Sequence, residues 1–170
     1  MAQYTVIRTD LMSGTKQPAD LVSVRVYNAA GTETIAVENG AIVELSALES
    51  GEREVWIGKL ATASTTDLSK CVVIATPEVF YDERKKNLDE FVNEAGTIAR
   101  GYRLNQNDIF SITKEGFVSA TAPTAVGVVK LGAGGKLEPS TGSGHALGNL
   151  IAIEETTRYK YYVLQVGEIN

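Results

Sequence analysis

Ionisable side chains are packed most densely at residues 80–96, FYDERKKNLDEFVNEAG. Carboxylates so close together are what general acid/base catalysis draws on, yet a working pair needs burial or an apolar cleft to move a pKa. Here Phe80, Leu88, Phe91, Val92 and Ala95 gather on one side of a 3.6-residue helix. Asp82 suits the N-cap, and Gly96 suits the left-handed residue after the last turn. The stretch predicts one amphipathic helix over about 83–95, with Glu83, Arg84, Lys85, Lys86, Asn87, Asp89, Glu90, Asn93 and Glu94 on its other face. Pairs four apart, Lys86 with Glu90 and Lys85 with Asp89, contribute only ~0.2–0.5 kcal/mol each. The charges read as a solvated helix face, and the helix as a link between two lobes or a cover for an open β-edge.

Other chemistry is searched for with the same result. Cys71 is the only cysteine and lies in the apolar run CVVIA, so it reads as a buried small hydrophobe. His145 is the only histidine and sits in GSGHALG, without the further ligands of a zinc site or the packing a Ser-His-Asp arrangement needs. GAGGKL lacks the Ser or Thr that follows Gly-Lys in a phosphate-binding loop, and Lys130 stands where that loop's first glycine belongs. Gly142, Gly144 and Gly148 are spaced one residue too far apart for a dinucleotide fingerprint. The expectation is a non-enzymatic chain with no catalytic residue, cofactor or metal.

The bulk figures agree with a folded domain: 170 residues, 44% hydrophobic and 22% charged, a size that hides about 68–70% of the unfolded surface. The formal charge of -5, with no basic run longer than Arg84 to Lys86, argues against nucleic acid as a partner. No apolar run approaches the ~20 residues of a membrane helix, and the N-terminal residues lack a secretory signal's apolar core. Synthesis and folding in a cytoplasm are expected, with no membrane contact.

Period-two alternation dominates the rest. In DLVSVRVYN, Val22, Val24 and Val26 fall on one side of a strand and Ser23, Arg25 and Tyr27 on the other. YTVIR, ETIAVE, AIVELSAL, REVWIGKLA and CVVIAT follow suit, with Asn39-Gly40 as a type I′ hairpin signal; the first half reads as an antiparallel meander. IARGYRL, DIFSIT, GVVKL, NLIAIEET and RYKYYVLQV read as a small barrel or sandwich. The last carries large apolar residues on both faces, Tyr162, Leu164 and Val166 against Tyr159, Tyr161 and Val163, which predicts a central strand or one covered by a partner. The expected fold is mainly β: an extended arm at 1–12, a β-rich meander or sandwich lobe at 13–79, the connecting helix within 80–96, and a β-barrel-like lobe at 97–170.

The order YTVIRTDL…VRVYN, then TPEVFYDERKKNLDEFVNEAGTIARGYRL, DIFSIT, a Gly-rich hairpin and a closing RYKYYVLQV resembles small β-rich proteins of tailed-bacteriophage head-gene clusters, the capsid decoration or cement proteins. The resemblance spans nearly the whole chain and carries no catalytic motif. It implies a virion protein on the capsid exterior that binds the major capsid protein lattice, as a trimer or other small homo-oligomer. The residues it would use are the arm, Tyr4, Ile7, Arg8, Leu11 and Met12, adding to a neighbour's sheet edge, and the closing tyrosines Tyr159, Tyr161 and Tyr162. Against this stands pairing of Tyr4 and Ile7 within the chain's own sheet, with the tyrosines filling its core. A tail or baseplate component would share the same composition, and a carbohydrate-binding module would use exposed tyrosines and Trp56.

Overall fold

The computed structural model describes residues 4–9, 20–65, 67–80, 87–140 and 146–168. Alternating residues form β1 (Leu21–Tyr27), β2 (Ile42–Leu48), β3 (Val55–Leu60), β4 (Cys71–Ile74) and β5 (Ala99–Arg103), which close into a barrel in the order β1-β3-β2-β4-β5. Val24, Val26, Val43, Leu45, Val72, Ile74 and Ala99 fill one core cluster, the lumen. It is so narrow that two strand positions must be glycine. A Cβ at Gly58 would stand 2.5 Å from Val43 Cγ1, and one at Gly101 would stand 2.9 Å from Val72 Cγ2.

The mainly β class is as expected, but its distribution differs. The barrel spans residues 21–103 and not the C-terminal part of the chain, and it is not a meander: β1 pairs with β3 in parallel, with Val24 opposite Trp56. Pairing of β1 with β5 closes the ring and leaves no free edge. β5 belongs to the barrel, so residues 97–103 do not open a second lobe.

The second sheet has the order β6-β10-β9-β7-β8, built from β6 (Ile109–Ile112), β7 (Gly127–Leu131), β8 (Leu137–Pro139), β9 (Ala146–Glu155) and β10 (Lys160–Val166). β10 is internal, between β6 and β9, as its two apolar faces predict. Tyr162, Leu164 and Val166 join a core that also holds Ala61, Leu68, Cys71 and Val73 from the barrel side. In CVVI, therefore, Val72 and Ile74 serve the lumen while Cys71 and Val73 serve the seam, and all four are buried. The two sheets share a core and stand as one packed unit. The hairpin between β7 and β8 helps to lock them: Gly134 and Gly135 have φ of +67° and +73°, and Gly135 N–H donates to Ala61 O at 2.8 Å. A Cβ at Gly135 would lie 2.6 Å from Ile42 O, so this glycine run serves a close approach and not a phosphate.

The helix expected over 83–95 is not formed in its described part; residues 83–86 lie outside the described residues. Only a single 3-10 turn, Leu88–Glu90, is present. Tertiary pairing takes the backbone instead: Asn93 and Val37 exchange both N–H···O bonds at 2.9 Å, and Tyr4 N–H donates to Asp89 O at 3.1 Å. Phe80 and Phe91 still meet, edge to face at 5.7 Å, while Leu88 stays 40% exposed. Gly96 is left-handed as expected, at φ +82°, but in a turn after Asn93. Gly40 is left-handed too, whereas Asn39 is absent from the positive-φ residues, so the two do not make a type I′ turn.

Candidate interaction surfaces

Residues 4–8 form a strap along β6. Ile7 bridges Ile112, Arg8 N–H donates to Ser111 O and Thr113 N–H to Val6 O, each at 3.0 Å. Val6 and Ile7 are buried because alternate strap residues reach the shared core and the β6 edge. A half-buried carboxylate fastens the strap: Glu38 Oε2 accepts from Thr5 N–H at 2.7 Å and from the Thr5 hydroxyl at 2.8 Å, while Oε1 pairs with Lys136 Nζ at 2.7 Å. Glu38 thus ties strap, barrel loop and second sheet at one point.

The expected interface residues divide on this basis. Ile7, Tyr161 and Tyr162 are 3%, 6% and 7% exposed and are spent inside the chain. Tyr4, Arg8 and Tyr159 are half-buried; the Arg8 guanidinium sits 5.4 Å from the Tyr161 ring centroid. Leu11 and Met12, like His145, lie outside the described residues. Tyr159 borders a recess of about 730 Å³ with Asp89, Lys114, Lys136, Arg158 and Lys160. Burial pushes its hydroxyl pKa up, and the neighbouring Asp89 carboxylate adds to the rise. Three of the recess cations are already engaged: Lys136 by Glu38 and Glu115 O, Lys114 by Glu115 and Arg158 by the Tyr159 ring.

A different surface is open. On the barrel flank Pro77, Val79, Phe80, Phe91, Val92 and Ile98 line a groove of about 550 Å³. It runs into a shallower hollow that shares Thr76, Pro77 and Ile98 and reaches Leu21. Val79, Ile98 and Leu21 are 58%, 46% and 42% exposed. Together the two hollows make a trough, apolar in its deeper part and mixed around Ser23 and Arg100, whose residues come from separate segments.

Two buried asparagines hold the trough floor. Asn39 Nδ2 donates to Thr76 O at 2.8 Å and Thr76 N–H returns a bond to Asn39 Oδ1 at 3.1 Å. Asn93 Nδ2 donates to Val37 O at 3.0 Å and to the same Asn39 Oδ1 at 3.2 Å. These satisfied buried amides fix segments 76–80 and 91–93 against the barrel, because breaking one would strand polar atoms out of water. No sequence period gathers these residues; the available signal was Pro77, Val79 and Phe80, apolar residues beyond the end of a strand.

The titratable groups show no catalytic arrangement among the described residues. Burial, reinforced by Glu44 and Asp67, pushes the Cys71 thiol up to about 12, far from a reactive thiolate. Hydrogen bonds from Arg25 and from the Tyr27 hydroxyl, the latter at 2.6 Å, hold the Glu49 carboxyl below its usual range. This cluster pins the end of β2 to β1. Among the described residues no group of His, Cys, Asp and Glu could hold a metal ion, and no helix is long and apolar enough to cross a membrane. Comparison with known proteins finds no matching family model, no matching curated protein and no matching solved structure.

Proposed function

We propose that the chain is a capsid decoration protein, which docks on the outside of an assembled phage shell and stabilises its lattice. The observation that carries a protein-binding role is the preformed trough at Leu21, Pro77, Val79, Phe80, Phe91 and Ile98. A contiguous exposed apolar surface on a folded domain is what the core of a protein interface is made of. The sequence resemblance supplies the kind of partner, the major capsid protein, and the same resemblance supports a small homo-oligomer. Contacts repeated over a lattice add by multivalency, and binding only the mature shell stabilises that state by mass action. A sugar-binding reading draws little support: Trp56 is half-buried, with the Arg103 guanidinium 5.5 Å from its ring centroid.

Co-sedimentation of the purified protein with expanded, protein-depleted capsids of its own source tests the proposal, with imaging by cryo-electron microscopy. Saturable density at fixed lattice points is expected. A protein that stays in the supernatant at all concentrations rejects decoration and transfers the reading to a tail component.

A further inference from the structure

We infer that the trough receives a segment of the shell subunit in which an aliphatic or aromatic anchor is flanked by lysine or arginine. The inference rests on the decoration reading and specifies the partner chemistry of the same surface. Its walls define the anchor. Phe80 and Phe91 form an edge-to-face corner, and Val79 and Ile98 stand on the two sides with about half their surface open. Such a corner gains most from a bulky apolar side chain that displaces poorly held water.

Charge defines the flanks. Among the described residues, the charged side chains lining the deeper groove are Glu90 and Glu94, while Arg100 lines the adjoining Leu21 hollow, on a chain of formal charge -5. At the Glu90 and Glu94 end an acidic segment would meet like charge at close range, whereas a basic one meets complementary potential, which governs specificity and approach more than raw affinity. Because the groove continues into the Leu21 hollow, the occupant must be a stretch of chain and not a single side chain.

The fold defines the mode of recognition. The barrel is closed, so this flank has no unpaired strand edge for a partner strand to join. The β6 edge is already taken by the strap. Recognition at the trough therefore runs through side chains, and the asparagine-held floor means that little has to be reorganised on binding.

The test uses the full chain with expanded, protein-depleted capsids. Ile98→Glu is expected to weaken shell binding about tenfold or more, a loss of about 1.4 kcal/mol or more. Glu94→Lys is expected to weaken it less and to flatten its dependence on salt. Val126→Glu, at a residue 64% exposed on the second sheet, should bind as the unaltered protein does. Thermal melts of all three should coincide with that of the parent. A photo-crosslinker placed at Val79 should capture a shell-subunit peptide containing an apolar residue next to Lys or Arg. Undiminished binding of Ile98→Glu by a chain that does decorate shells overturns the assignment and leaves decoration standing. Cross-links only to another copy of the chain, or to a peptide without basic residues, overturn it as well. Failure of the unaltered protein to bind shells removes both.

Discussion

The strap flank and the trough flank both present apolar residues outside regular strands, and the chain treats them in opposite ways. At the strap, Val6 and Ile7 are almost wholly covered, their backbone is paired to β6, and Glu38 satisfies the donors of Thr5. At the trough, the polar groups are just as well satisfied through Asn39 and Asn93, yet Val79 and Ile98 remain open. Rigid support under uncovered apolar surface suits the docking role proposed for the trough, while the same support beneath a covered segment is part of the fold. The extended segment at 4–8 thus serves this chain's own fold.

The difference can be broken most severely at the strap. Removing residues 1–9 exposes the sites of Val6 and Ile7, each worth about 1.5–3 kcal/mol when buried. A loss of stability of that order should appear in denaturant unfolding, together with concentration-dependent self-association through the bared β6 edge in light scattering. Ile7→Ala alone is expected to cost about 2–5 kcal/mol. Glu38→Gln keeps the shape but removes the charge that holds Thr5 and Lys136, for an expected loss of about 1–3 kcal/mol. At the trough, Ile98→Glu should change stability by no more than about 0.5 kcal/mol, since that side chain is already half in water.

The smallest effect concerns neither flank and calibrates both. Glu49 has a depressed carboxyl pKa in the folded chain because Arg25 and Tyr27 bind its charged form. The stabilisation it gives is present above the unfolded carboxyl pKa, about 4.3, and is lost as pH falls through the lower folded value. Glu49→Gln should therefore be less stable than the parent at neutral pH, and the gap should close as the medium is acidified. A gap independent of pH would mean that the carboxylate contributes by packing alone.

Much of the fold could be read from local pattern, and the failures share a cause. The alternation in β1, the double-sided apolar pattern of β10 and the apolar run of β4 each report burial on definite faces, and burial is what packing preserves. Parallel pairing of β1 with β3 leaves no local trace. Its nearest signal was Gly58, a glycine inside a strand, which marks close approach without naming the neighbour. The helical spacing of Phe80, Leu88 and Phe91 was real, but Asn93 pairs with Val37 and Asp89 with Tyr4, partners far away in sequence, and these bonds outweigh helix propensity. The trough escaped for the same reason, since Leu21, Val79 and Ile98 meet only after the barrel closes.

The strap also sets an order of events in synthesis. Val6 N–H bonds Thr113 Oγ1 across 107 residues of sequence, and the strand beneath it, β6, is held by β10 near the other end of the chain. A nascent chain can complete the barrel once residue 103 has emerged, but the second sheet lacks its internal strand until residue 166 has followed. Residues 4–8 are made before both sheets and fixed after them, and such long-range closure is slow. Until it happens, Val6 and Ile7 stay uncovered beside an unpaired edge, the state of this chain most exposed to proteases and to capture by another copy.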